Sequence, residues 1–311
     1  MGSLNIEKGL NEGNEKEELL INTIEEQKCD IMAVSEVEIA DFDPKKPFSL
    51  AGWKTFFPLE RKGTSTKRLL VFVKEELEVI ERSDLMTDKL SDVWLEIKNA
   101  KQKLILGCVY REWSDLSREK SDRKLNEEEQ TDRWKLFMEQ AIKASREGPI
   151  CCIGDINIDL ELWEESTYRL SNLAKAYQTA LGEGGFEVIN FGTTRVRRHD
   201  GKESSLDHAF VSNPELVKNY SKQKIHYSDH YYIQVDFRVN VPKKQQETLE
   251  SRDLRKVRSN PIYFQNALEN INWDDLVRMT EVDQMVDFWE ESLTKCLNSI
   301  APLKKRKIKK N

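Results

Sequence analysis

Two patterns of apolar residues alternate along the chain. In "EELLINTIEEQK" Leu19, Leu20 and Ile24 recur at helical spacing, and the next segment, "CDIMAVSE", is an unbroken apolar run that reads as a buried strand. "RLLVFVKE", "VWLEIKN" and "KLILGCVYRE" predict further strands, the last of them running into a polar loop. Residues 111–130, rich in Ser, Asp, Glu, Arg and Lys, predict a long loop or poorly ordered arm. "QTDRWKLFMEQAIKASREG" predicts a helix with Trp134, Phe137, Met138 and Ile142 on one face and a glycine stop, feeding the strand "PICCIGD". A second helix, "YRLSNLAKAYQTALGEGG", precedes the strands "EVINFG", "LDHAFVS" and "YYIQVDFRV". Strands follow strands too often for a simple βαβ array, so the pattern predicts a mixed, two-sheet α/β architecture. Near residue 239 the pattern changes. Pro261 to Ala301 reads as helical, with Trp273, Leu276, Met285, Phe288, Trp289 and Leu293 available for packing, and the chain closes on the basic stretch "KKRKIKKN". The predicted division is a domain over 1–238 and a basic, partly helical extension over 239–311.

Composition narrows the function classes. At 38% hydrophobic and 33% charged residues, the chain can bury a core beneath a very polar surface. No window approaches the roughly 18 apolar residues of a membrane span, and the opening "MGSLNIEKGL" lacks the features of a secretory signal. Neither a membrane partner nor secretion is expected. The five cysteines at 29, 108, 151, 152 and 296 show no C-x-x-C spacing, which argues against a disulfide framework or a zinc site. From Val239 onward 14 Lys and Arg stand against 11 Asp and Glu, a balance of +3; with a formal charge of −6 overall, residues 1–238 carry −9. Nucleic-acid contact by so acidic a region has to rest on a local basic rim.

Polar groups recur where apolar strands end: Asn5 in "SLNIEKGL", Glu36 in "MAVSE", Tyr110 in "LILGCVY", and Asp155 and Asn157 in "CCIGDIN". Asp207 in "SSLDHAF" and the pair Asp229–His230 in "YSDHYYIQV" follow. Any one of these is ordinarily a cap or a turn; six such ends suggest a shared rim, where catalytic groups collect on a rigid scaffold. Carboxylates with an amide oxygen suit a hard cation such as Mg²⁺ and suit zinc poorly. A His with an Asp available to hold its ring is an oriented imidazole. Metal and imidazolium together can neutralise charge growing on a phosphate as water attacks it. Phosphodiester hydrolysis is the chemistry these residues suit.

In order and spacing, "NIEKGL", "SE", "VYR", "GDINIDL", "TTR", "SSLDHAFVS" and "YSDHYY" resemble the exonuclease–endonuclease–phosphatase superfamily over roughly residues 4–238. "VYR" before a long polar arm, "TR" before "SSLDH", and the trailing "SRDLRKVRSNPIYF" look most like the endonuclease of LINE-type (non-LTR) retrotransposons. The resemblance implies a four-layer α/β sandwich of two packed β-sheets with helices outside. It implies Glu36 as principal Mg²⁺ ligand, helped by Asn5 or Glu7 and by Asp229, with Mn²⁺ able to substitute. It further implies that His230, held by Asp207, contacts the scissile phosphate. Asp155, oriented by Asn157, would position or deprotonate the attacking water, and Tyr110 would bind phosphate. Arg111, Thr194 and Arg195 would meet duplex DNA. The implied activity nicks one strand and leaves a 3′-hydroxyl to prime reverse transcription. Element RNA and a reverse transcriptase are the further implied partners, and the nucleus, after cytoplasmic synthesis, is the implied place of action. Only "MGSL" precedes Asn5, so a short first strand is expected to hold that residue poorly.

Other residues have plainer readings. His208 suits a satisfied strand histidine, His199 and His226 suit the surface, and Asp159 looks structural. Cys151 and Cys152, adjacent in a strand, point to opposite faces and suit core packing. "RVRRHDGK", with Arg195 and Arg197, is either a solvated hairpin or a loop reaching DNA, and the second is favoured. "KKRKIKKN" suits a nuclear-import signal, an RNA-binding stripe or the charged end of a linker. An abasic-site nuclease or another phosphodiesterase of the same superfamily keeps the fold with a different substrate. A catalytically decayed nucleic-acid-binding module is the alternative from another class.

Overall fold

The computed structural model describes residues 1–7, 15–40, 42–45, 47–98, 103–160, 172–239 and 248–307. The chain divides into two compact units, Met1–Lys244 and Gln245–Asn311.

In the first unit the strands are β1 (Gly2–Asn5), β2 (Ile31–Ile39), β3 (Trp53–Phe56), β4 (Lys67–Lys74), β5 (Val79–Glu81), β6 (Ser91–Ile97), β7 (Ile105–Tyr110) and β8 (Ile150–Asp155). They continue with β9 (Glu187–Ile189), β10 (Arg195–Val196), β11 (Glu203–Ser204), β12 (Asp207–Val211), β13 (Val217–Lys224) and β14 (Tyr231–Phe237). The helices are α1 (Glu15–Glu26), α2 (Glu127–Ser145) and α3 (Asn172–Gly184). Two six-stranded sheets result, ordered β13-β14-β1-β2-β4-β3 and β5-β6-β7-β8-β12-β9, and β10–β11 forms a separate hairpin. Only β1–β2 and β7–β8 pair in parallel among these neighbours. This is the two-sheet α/β sandwich that the alternating pattern implies.

The unbroken apolar runs are explained by burial on both faces of a sheet. Along β2, Ile31 and Ala33 join the main core with Val93, Leu95 and Val235 of other strands, while Met32 and Val34 join a second core with Leu20 and Ile24 of α1. β4 divides the same way, Leu69, Val71 and Val73 against Leu70 and Phe72. Aromatic rings fill the space where α2 and α3 meet the second sheet. Trp134 lies 5.1 Å from Phe137 and 5.2 Å from Tyr177 between ring centroids.

Two expectations are corrected. The four-residue β1 is not a weak edge: it lies inside its sheet between β14 and β2, and Gly2–Asn5 are all buried. Its backbone pairs on both sides, and the Met1 amine donates to Val235 O at 3.0 Å. Of the two readings of residues 111–130, the long loop holds as far as α2, which begins at Glu127, and the poorly ordered arm does not. Glu112 accepts from Ser91 and Arg61, Asp115 pairs with Arg133, and Arg118 pairs with Glu129. Helix α2 also starts earlier than its apolar periodicity suggests, because Asn126 and Glu129 form a capping box ahead of it. Residues 168–171 of the second predicted helix lie outside the described residues, as does "KGL" of the opening motif.

The second unit holds β15 (Thr248–Ser251), α4 (Arg255–Ser259), α5 (Pro261–Glu269), α6 (Trp273–Arg278), α7 (Val282–Ile300) and β16 (Lys304–Lys307). The basic end therefore forms an antiparallel ribbon with β15, except residues 308–311, which lie outside the described residues. Of the apolar residues expected to pack there, Leu276, Met285, Phe288 and Leu293 are half-buried, while Trp273 and Trp289 are exposed. No helix among the described residues is long and apolar enough to cross a membrane.

Candidate active site

The parallel pairs explain why polar strand ends converge. β1 and β2 finish at one rim of the first sheet, and β7 and β8 finish at one rim of the second. β14 and β12 run antiparallel to β1 and β8, so they start where those strands end. Asn5, Glu36, Tyr110 and Asp155 thus come from finishing strands, Asp207 opens β12, and His230 immediately precedes β14. Three hydrogen bonds among the described site residues join the rims across the sandwich: Asn5 Nδ2 donates to Asp155 Oδ2 at 2.8 Å, Tyr110 Oη donates to Glu36 Oε1 at 3.0 Å, and His230 pairs with Asp207.

Backbone strain gathers here. Five described non-glycine residues have positive φ, and three of them, Glu7 (51°), Glu36 (57°) and Asn157 (57°), are candidate site residues. Such conformations cost on the order of 1–3 kcal/mol each and persist where the surroundings over-determine them. Glu36 lies in an irregularity of β2, where Ser35 opposes Leu69 and Ile39 opposes Lys67. Beside Asp155, Gly154 allows β8 and β7 to meet closely, because a Cβ there would overlap the Val109 carbonyl oxygen.

Asp155, Asp207 and His230 form the tightest group, with ligating atoms all within 4.8 Å of one another. His230 Nδ1 lies 2.8 Å from Asp207 Oδ2. Burial is the largest influence on the imidazole and opposes its charge, but Asp207, with Asp155 and Asp229, outweighs it and raises the pKa to about 9. Asp155 is raised from the ordinary carboxylate range, first by burial and then by the negative charge of Asp207. Its oxygens are fixed by Asn5 Nδ2 and by the backbone N–H of Asn157, at 2.8 and 3.1 Å. An imidazolium has no lone pair for a cation, so this group suits proton and phosphate chemistry better than metal ligation.

On the other side of Asn5 the arrangement is different. Asn5 Oδ1 accepts from Glu7 N at 2.8 Å. Glu7 has its pKa raised by burial and then by neighbouring Asp229, while Arg198 Nη2, 2.9 Å from Glu7 Oε2, pulls it down. Arg195 Nε donates to Asp229 Oδ2 at 2.8 Å, while the buried Asp229 Oδ1 has no hydrogen-bond donor and lies 3.7 Å from His230 Nε2. The β10–β11 hairpin thus places two guanidinium groups on two site carboxylates.

Residues 2–230 match the Endonuclease/Exonuclease/phosphatase family. The chain belongs to that family. It is thereby an enzyme that hydrolyses phosphate esters. The fold is similar to the endonuclease domain of TRAS1, a telomere-specific non-LTR retrotransposon, at 18% identity and a TM-score of 0.54, covering 76% of this chain and 97% of that one. It is also similar to the catalytic domain of Xenopus laevis APE2, at 14% identity and a TM-score of 0.57, covering 79% and 93%. A third neighbour is the AP endonuclease LMAP from Leishmania major, at 12% identity and 0.57, covering 75% and 86%. No curated protein matches the chain in sequence.

Members of the family are generally dependent on a divalent metal. Glu36, Asn5 Oδ1, Glu7 and Asp229 offer oxygens of the hard kind such an ion takes, and Asp229 Oδ1 has no hydrogen-bond donor. Among the described residues, the ligating atoms that lie within 4.8 Å of one another are those of Asp155, Asp207 and His230.

Several assigned roles change. Arg111 does not face DNA: it is buried, and its guanidinium donates to Ile156 O, Asn157 O and Gln130 Oε1, holding the loop after β8. Burial lowers its pKa to about 10, which leaves it charged at neutral pH. Thr194 is wholly buried, and its Oγ1 accepts from the backbone N–H of Leu206 and Asp207, both at 2.9 Å. Both side chains are taken up inside the protein, chiefly by backbone groups. Asn157 orients Asp155 through its backbone, while its side-chain amide donates to Arg111 O. Tyr110 is 5% exposed, with its hydroxyl on Glu36. Arg197 pairs with Asp200 in the hairpin at 2.9 Å. Two residues escaped the sequence reading. Ser228 Oγ donates to Asn5 O and accepts from His230 N, tying β1 to the histidine, and Arg198 reaches Glu7. "YSDH" carried the first signal and the triple arginine of "RVRRHDGK" the second.

Proposed function

We propose that this enzyme is a divalent-metal-dependent DNA endonuclease of the LINE type, which nicks one strand of a duplex and leaves a 3′-hydroxyl for reverse transcription. The observation that carries the reading is the placement of the Asp207-held His230 beside the raised carboxylate of Asp155. Asp155 takes a proton from the attacking water while the water oxygen bonds to phosphorus. The bond from phosphorus to the 3′-oxygen breaks, and that oxygen takes a proton from solvent and leaves as the hydroxyl. His230, as imidazolium, faces the charge that grows on the non-bridging oxygens. Tyr110 and Asn5 hold Glu36 and Asp155 in place. Glu36, Asn5, Glu7 and Asp229 would hold Mg²⁺, or Mn²⁺ in its place, which when bound neutralises phosphate charge as a Lewis acid.

The LINE assignment is supported by the order of the sequence motifs and by the arginine-bearing hairpin beside the site. On this reading residues 239–311 resemble the linker that precedes a reverse transcriptase, element RNA is a partner, and the place of action is the nucleus. Supercoiled plasmid incubated with Mg²⁺ should be converted to nicked circles whose ends a DNA polymerase extends directly. Ends that require phosphatase treatment before extension contradict the proposed polarity. Incision confined to plasmid carrying abasic sites would reassign the substrate, and binding without cutting would mark a decayed module.

A further inference from the structure

We propose that the inter-sheet face of β13 is a second contact for the phosphate backbone of duplex DNA, continuing from the catalytic rim along the edge of the sandwich. The proposal rests on the nuclease reading and extends its substrate footprint. β13 is the edge strand of its sheet and is exposed over nearly its whole length. Its register with β14 pairs Tyr220 with Val235, Lys222 with Ile233 and Lys224 with Tyr231. Residues directly opposite in an antiparallel pair share a face. Val235 and Ile233 belong to the core shared with the second sheet, so Tyr220, Lys222 and Lys224 line that side. The alternate positions, Asn219, Ser221 and Gln223, are uncharged.

Lysines on an edge strand often serve only to prevent pairing with another chain. That purpose does not require Lys222 and Lys224 to stand on one face, nor an exposed ring between them and the far end of the strand. At that end the third lysine, Lys218, sits in a register shift between Val217 and Asn219. Here Tyr220, 52% exposed, packs edge-on against Phe191 at 5.7 Å. Lys222 Nζ donates to Thr193 O at 2.7 Å and lies 5.4 Å from the Tyr231 ring centroid. Two of its three N–H donors are left for a ligand. Thr193 leads into the arginine hairpin, and Tyr231 follows His230, so the strip is continuous with the site.

Charge complementarity favours a polyanion. Over residues 191–224, seven Lys and Arg stand against four Asp and Glu, in a chain of net charge −6. Lys224 opposes the neighbour of His230, and the strip runs away from it for about 14 Å at roughly 3.4 Å per strand residue. A DNA strand carries one phosphate per about 3.4 Å of helix axis, so this length spans about four nucleotides.

The test is the salt dependence of duplex binding for wild type, Lys222→Gln/Lys224→Gln and the rescue pair Lys222→Arg/Lys224→Arg. With about 0.9 counterions released per neutralised phosphate, the Gln pair should lower the log–log slope by about two. The Arg pair should keep the wild-type slope, and Lys224→Gln alone should lower it by about one. A Gln pair with the wild-type slope, in a wild-type protein that nicks and binds, overturns this inference alone. A Gln pair that loses affinity for single-stranded RNA but keeps its duplex slope also overturns it. A wild-type protein that neither nicks nor binds DNA overturns the nuclease reading and the inference with it.

Discussion

The two sides of the catalytic rim are built on different principles. Around His230 the groups are held inside the protein: imidazole Nδ1 on Asp207, Asp155 on Asn5 and on a backbone N–H, and Asp207 N on Thr194, with His230 Nε2 lying 3.7 Å from Asp229 Oδ1. Around Glu7 and Asp229 negative charge is crowded together, one buried oxygen lacks a donor, and the balancing cations are arginines borrowed from a hairpin. One side is held by the protein alone; the other, on the proposed reading, is completed by a cation. The difference teaches that orientation and charge neutralisation are separate tasks here, joined through Asn5, whose amide nitrogen serves one side and whose oxygen serves the other.

That contrast breaks most sharply at Glu36. Glu36→Gln keeps the side chain's size but removes the charge of the proposed principal metal ligand, so nicking should fall to the detection limit while thermal unfolding stays cooperative. EDTA should do the same to wild type. Near-wild-type nicking by the variant at saturating Mg²⁺ removes Glu36 from the site. On the complete side, Asp155→Asn should slow single-turnover cleavage by roughly 10²- to 10⁴-fold, the usual worth of a positioned acid or base. DNA affinity should hold, because phosphate contacts do not depend on this carboxylate. An affinity loss as large as the rate loss would make Asp155 a binding or folding residue instead. The smallest effect is expected at Arg197, whose only ion pair is with its hairpin neighbour Asp200 among the described residues. Arg197→Ala should reduce the salt slope of DNA binding by about 0.9 if it meets one phosphate. An unchanged slope would leave it a solvated residue.

Much of this architecture was legible in the chain. Runs such as "IMAV" and "LLVFV" reveal strands buried on both faces, and recurring polar strand ends reveal a rim, because alternation and chain reversal are local properties. The solvent-exposed β13 was missed, since "VKNYSKQK" has no apolar face to announce a strand. The roles of Arg111 and Thr194 were misplaced for a related reason. Motif position brings a residue near the rim, but whether its side chain faces solvent or an unpaired carbonyl depends on contacts with loops remote in sequence, here Ile156–Asn157 and Leu206–Asp207. The capping Asn126 shows the converse, a local signal outside the hydrophobic period.

The central claim is that His230 and Asp207 act as one unit on a phosphate, and a double-mutant cycle read across pH tests it most directly. With the imidazole raised to about 9, wild-type cleavage should persist above the ordinary histidine value of 6.5 and fall as pH rises through about 9. The same shift stabilises the fold fully below about 6.5, and that contribution is lost as pH rises through about 9. Asp207→Asn should move the alkaline limb downward and lower the rate. In a His230→Ala background the same Asp207 substitution should be nearly silent, because residues working as a unit are strongly non-additive. Fully additive losses, with an alkaline limb that does not move, would contradict the account.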